Sequence, residues 1–228
     1  MAQQLDLQEQ EQVDALKAFW AKYGNLIMWG VTLVLAAFAG YNYWMKLERD
    51  KASAASTMYG ELQTAADTGD DKRAAQVFGD MQSRAPKTTY AQLGGLMLAK
   101  VQAQKGDVAG ATASLQWVAD HGNDENAAVA HLRLAGLLAD AKKYEDALKQ
   151  LALVKPASFA TLVADRRGDI ELAQGQKDAA IKAYKTAWDG LPATEQYRIL
   201  VEAKLTRLGA APAPAASAAS AAASGASQ

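Results

Sequence analysis

The chain has 228 residues, 24 basic and 25 acidic side chains, a net charge of −1, a mean hydropathy of −0.16 and no cysteine. That charge balance leaves no electrostatic footprint for nucleic acid, and the lack of cysteine excludes disulfides, thiolate metal centres and cysteine nucleophiles. The length suits one membrane anchor plus one soluble domain of ordinary size.

Residues 1–22 form a short polar arm in which Asp6, Glu9, Glu11 and Asp14 outweigh Lys17 and Lys22. Val13, Leu16 and Trp20 are spaced to form an apolar stripe on a helix. From Leu26 to Trp44 the chain reads LIMWGVTLVLAAFAGYNYW, and no charge falls between Lys22 and Lys46. As a helix this stretch rises about 28 Å, close to the ~30 Å hydrocarbon core of a bilayer. Trp20 and Tyr23 precede it and Tyr41, Tyr43 and Trp44 close it, the aromatic residues expected at an interface. The pattern predicts a single transmembrane helix over residues 23–45.

Ala37-Phe38-Ala39 also fits a small-x-small cleavage site. A secretory leader, however, begins with a short basic segment, and this arm is long and acidic, so an uncleaved anchor is expected. Lys17 and Lys22 lie before the span and Lys46, Arg49 and Lys51 after it. A difference of one charge does not fix the direction of insertion. Thr32, Ala36 and Gly40 recur at four-residue spacing and form a small-residue stripe on which another membrane helix could dock.

From Lys46 to Leu208 the apolar residues recur at helical spacing, and an all-α architecture is expected. Aligning Gly69, Gly106, Lys142 and Gly175 gives offsets of 37, 36 and 33 residues. Five residues beyond each stands alanine: Ala74, Ala111, Ala147 and Ala180. Nine beyond stand Phe78, Leu115, Leu151 and Tyr184, and twelve beyond stand Met81, Val118, Val154 and Ala187. Seven before the turn the residue is small in three units (Ala99, Ala135, Gly168) and is Leu62 in the first. Small residues let paired antiparallel helices approach, the larger residue fills the groove to the next pair, and such pairs are stable as a stack. Pro86 and Pro192 close the first and fourth units, whereas Pro156 ends the third about three residues early.

The pattern resembles the tetratricopeptide repeat over residues 54–191. Residues Thr194 to Leu208 are expected to form a capping helix, with Thr194 at its start and Tyr197, Leu200, Val201, Leu205 and Leu208 on its apolar side. Residues 209–228 are an uncharged Ala/Pro/Ser tail that cannot build a core.

No catalytic constellation emerges, and neither an enzyme nor a cofactor is expected. His121 and His131 stand apart, Gly94-Gly95 fits close helix packing, and no HExxH, GxSxG or phosphate loop occurs. Binding remains. The tetratricopeptide resemblance implies a concave groove lined by the first helix of each pair. On this register it would include Tyr59, Gln63, Leu96, Lys100, Gln104, Leu132, Gly136, Asp165 and Asp169, a mixed set without a cationic clamp.

The order of acidic arm, span, repeat domain of residues 46–208 and no catalytic set resembles the YfgM-like family, the ancillary subunits of the SecYEG translocon in Gram-negative bacteria. The residues that carry the resemblance are FWAKYGNLIMWGVTLVLAAFAGYNYW and the four aligned units, within residues 5–208. It implies a bacterial inner-membrane protein, inserted in the lipid bilayer with residues 1–22 cytoplasmic and the repeat domain periplasmic. It implies as partners SecYEG and a membrane-anchored periplasmic chaperone of the PpiD type, with hand-over of nascent secreted chains. Action of the arm on the Rcs stress response regulator is a further implication. A scaffold for another envelope complex, and a soluble periplasmic repeat protein released after Ala39, stand as alternatives.

Overall fold

A computed structural model gives the structure of residues 2–212, with side chains described from Gln10 onward. The tail expected over 209–228 lies outside the described residues from position 213. The described residues are helical, with no strand among them. They divide into two compact units, with the boundary between Ser53 and Ala54.

The first unit belongs to helix α1 (Ala2–Thr68), which is long and apolar enough to cross a membrane. The large apolar side chains here face outward: Trp29 and Leu33 are each 70% exposed and Phe38 is 65% exposed. A core helix of a soluble protein would bury them. Two polar side chains in the stretch bond within the helix: the Thr32 hydroxyl donates to the Met28 carbonyl at 2.8 Å. The Asn42 amide likewise donates to the Phe38 carbonyl at 3.0 Å. In lipid, where no water can replace a lost partner, that self-sufficiency matters.

The second unit stacks the C-terminal end of α1 with α2 (Asp71–Arg84), where Leu62 and Ala65 share a core cluster with Ala74, Val77 and Phe78. It likewise stacks α3 (Thr89–Gln104) with α4 (Val108–His121), α5 (Asp124–Asp140) with α6 (Tyr144–Ala152), and α7 (Ala160–Ala173) with α8 (Lys177–Gly190). Helix α9 (Tyr197–Arg207) packs on α8. The four aligned turn residues are the pivots: Gly69, Gly106 and Gly175 have φ of 75°, 82° and 79°, and Lys142 has 59°. Each pivot ends its helix in the same way. At the first, the Gly69 amide donates to the Ala66 carbonyl and the Asp70 amide to the Ala65 carbonyl, at 3.2 and 2.9 Å. This pair of bonds satisfies carbonyls left open by the helix end and needs a left-handed residue, which glycine supplies without steric cost. The following residue starts the next helix, and Asp70 and Asp107 accept from the Arg73 and Gly110 amides as N-caps.

The repeat positions form the core. Ala74, Ala111, Ala147 and Ala180 are wholly buried, and Phe78, Leu115, Leu151 and Tyr184 are at most 4% exposed. A Cβ added at Gly168 would meet the Tyr184 ring at 2.5 Å, so the small residue admits the large one facing it. Gly95 likewise leaves room for Val118, whose side chain would lie 2.5 Å from an added Cβ.

Two elements differ from expectation. The cap starts at Tyr197 rather than Thr194, because Pro192–Glu195 closes a turn in which the Glu195 amide donates to the Pro192 carbonyl at 3.0 Å. Its buried stripe holds Val201 and Leu205, while Leu200 is 50% exposed and points away. The third unit is short: α6 has 9 residues against 14 in α2, α4 and α8. Val154 accordingly falls beyond the helix and is only half-buried, whereas Met81, Val118 and Ala187 at the equivalent position are fully buried.

Candidate functional site

The first helices of the second, third and fourth pairs, α3, α5 and α7, enclose a cavity of about 450 Å³. Four groove residues expected from the register line it: Lys100 and Gln104 from α3, and Leu132 and Gly136 from α5. Its apolar floor includes Ala99, Ala103, Leu115 and Leu137. Gly136 has nothing within 4 Å of where a Cβ would stand, so the wall is open there rather than filled by a neighbour.

Three further charged residues, Arg133, Asp140 and Arg166, complete the lining. Lys100, Arg133 and Arg166 thus line one cavity beside the acidic Asp140, two cations more than the expected groove set contains there. Arg133 reaches across to α3 and donates to the Leu96 carbonyl at 2.8 Å. Helical spacing carried the available signal, since Gly136 and Asp140 follow Leu132 at successive four-residue steps.

The remaining expected groove residues go elsewhere. Tyr59 is half-buried and its ring lies 6.0 Å from that of Tyr90, while Gln63 is exposed on α1. Leu96 is 7% exposed and packs in the core with Ala99 and Leu134, so its side chain offers nothing at the surface. Asp165, at 2% exposure, and Asp169 are committed to the cap helix. The Lys204 amine of α9 donates to both Asp165 oxygens at 2.8 Å and to Asp169 Oδ1 at 2.7 Å. The Tyr197 hydroxyl donates to Asp165 at 2.6 Å and the Tyr184 hydroxyl to Asp169 at 2.8 Å. Burial, reinforced by these hydrogen bonds to carboxylates, pushes both phenols well above the ordinary tyrosine range. Asp165 and Asp169 thus hold the cap, because a buried carboxylate must be paired.

The histidines are structural in placement. His121 stacks on Trp117 at 4.8 Å and its Nδ1 lies 3.0 Å from the Trp117 carbonyl, while His131 Nδ1 lies 2.8 Å from Gln150 Oε1. Among the described residues no group of three or more His, Asp or Glu is placed to hold a metal ion. Thr32, Ala36 and Gly40 are all exposed on α1.

Residues 17–210 match the tetratricopeptide repeat-like domain family. An Escherichia coli K12 protein named ancillary SecYEG translocon subunit is 36% identical over 184 residues, covering 79% of this chain and 85% of that one. The chain belongs to the family of ancillary SecYEG translocon subunits. Proteins of the same name from Aggregatibacter actinomycetemcomitans and Neisseria gonorrhoeae are each 29% identical, covering 89% of this chain and 98% of theirs. A crystal structure of nearly identical TPR-like repeats from Podosopora anserina superposes with a TM-score of 0.50 at 16% identity, over 70% of this chain and 84% of that one. At that identity the likeness concerns the fold alone.

Proposed function

We propose that this chain is a non-catalytic accessory subunit of the SecYEG translocon, anchored in the inner membrane by residues 23–45. Residues 1–22 lie in the cytoplasm and the repeat domain, residues 46–208, in the periplasm. There the groove of α3, α5 and α7 receives segments of translocated chains and passes them toward a PpiD-type chaperone.

The single observation that carries the binding role is the cavity of about 450 Å³ among the first helices, with an apolar floor and cations at Lys100, Arg133 and Arg166. Its size lies within the ~300–1,000 Å³ usual for binding clefts, and its polar groups are few and convergent. Open space at Gly136 lets a peptide backbone come close. Relatives named ancillary SecYEG translocon subunits, matching 79% and 89% of the chain, support the SecYEG assignment.

In the membrane, Thr32, Ala36 and Gly40 form the docking stripe for a translocon helix, because small residues allow the backbones to approach. The arm's exposed Val13, Leu16 and Trp20 form the surface that would meet a cytoplasmic partner such as the Rcs response regulator. Co-purification tests the assignment. SecY should accompany the native full chain from membranes and be depleted when Ala36 and Gly40 are both replaced by leucine. Absence of SecY from the native preparation would refute the translocon assignment; full retention by the variant would refute the stripe.

A further inference from the structure

The shortened third unit opens space on a different face of α7 from the groove, which takes Arg166 while the new space takes the adjacent Arg167. Helix α6 ends at Ala152, and Pro156 bars its continuation because it lacks an amide donor and disfavours helix in the preceding residue. The last turn that would cover α8 is missing, and a cavity of about 590 Å³ stands between the α6–α7 connection, α7 and α8. Small side chains on its walls, among them Ala160, Ala179 and Ala183, leave it unfilled. Lys155, Arg167 and Lys182 also line it, against the single acid of the lining, Glu171. All three cations are exposed, and among the described residues none is held in an ion pair.

We propose that this cavity is a second binding site, separate from the groove, for a partner segment that carries acidic side chains around an apolar one. Charge complementarity selects the occupant: apolar walls take the apolar side chain, and the three free cations meet the flanking carboxylates. The site exists because proline truncates one helix of an otherwise regular stack. It does not depend on the function of the groove.

A defined probe tests the proposal on the full chain in nanodiscs of neutral lipid. The probe is a short fluorophore-labelled peptide of alternating leucine and glutamate, compared with its glutamine counterpart. Binding followed by anisotropy should favour the glutamate peptide. It should weaken on the order of tenfold in the Arg167→Glu/Lys182→Glu double variant. Ala179→Trp, which fills the cavity and keeps the charges, should weaken it equally, and Lys100→Glu in the groove should leave it unchanged. Circular dichroism melts verify that the variants fold, and Ala160→Leu, which also fills the cavity without changing charge, substitutes for Ala179→Trp if the latter does not. The proposal is overturned if the native chain does not bind the peptide, if the cavity variants bind it undiminished, or if Lys100→Glu abolishes binding. It is also overturned if anionic vesicles, rather than the peptide, lose binding in the double variant, which would make the site a lipid contact.

Discussion

The apolar residues of the first unit and those of the repeats are chemically alike and sit in opposite surroundings. Trp29 and Leu33 are each 70% exposed, whereas Leu115, Leu134 and Leu151 are at most 2% exposed. The difference lies in pattern. Between Lys22 and Lys46 the apolar residues run round the whole helix, so no face is left to turn toward water, and a lipid solvent is the environment that suits them all. In the repeats polar residues interrupt them on the outward side of each helix, and the apolar sides are buried by the partner helix and the neighbouring pair, as Leu98 and Leu96 of α3 are in two adjoining clusters. Leucine content alone could not separate the two.

Matched substitutions break or confirm this contrast. Leu134→Ala should lower the stability of the repeat domain by about 2–5 kcal/mol through lost burial and the cavity left behind. Leu33→Ala, identical in chemistry, should leave the melting of that domain unchanged. Denaturant unfolding followed by circular dichroism compares them directly, and equal losses would contradict the division. Leu35→Arg should leave the repeats folded while making insertion less favourable by roughly 2.5–3.5 kcal/mol, read as a shift from the membrane to the soluble fraction.

The cap helix sharpens the picture at the other end of the stack. Lys204→Ala strands the buried Asp165 without its cation and should cost about 3 kcal/mol. Lys204→Ala combined with Asp165→Asn should recover much of that loss. Raised folded-state phenols at Tyr184 and Tyr197 add a pH signature. Their contribution is complete below the ordinary tyrosine value of about 10 and is lost as pH rises from there toward the folded values, because the unfolded chain releases its phenolic protons first. Melting temperature should therefore fall as pH rises above about 10, and the fall should be shallower in Tyr197→Phe. The smallest effect concerns Lys142, the one pivot with a side chain at positive φ. Lys142→Gly should stabilise the repeats by about 1 kcal/mol, since the left-handed conformation is penalised by a Cβ.

Much of this was legible in the residues. The pivots Gly69, Gly106, Lys142 and Gly175 could be found because a stack repeats its turn chemistry at nearly fixed intervals. The alanines five positions later could be found for the same reason. The partners of Asp165 and Asp169 could not, because Lys204 lies 39 and 35 residues away in sequence and no local spacing links them. A hint was present: on a helix Lys204 falls on the same stripe as Tyr197, Val201 and Leu205, and an amine on a buried stripe calls for a carboxylate. Leu96 was misplaced as a groove residue because one residue along a helix rotates a side chain by about 100°, enough to move it from groove to core. Arg133 and Arg166 were missed because convergence from α5 and α7 depends on how the pairs stack. The early end of α6 was visible at Pro156, but the cavity it opens required the neighbouring α8.

Site-specific photocrosslinking from position 132, on the groove wall, tests the central claim most directly. The full chain would carry the crosslinker in membranes that are actively translocating a secreted protein. Covalent adducts to the translocating chain or to a membrane-anchored chaperone are expected from position 132, which is half-buried, and should be absent from Ile199, which is more accessible at 70% exposure. Adducts of equal yield from both positions, or none from position 132, would contradict the groove as the working surface.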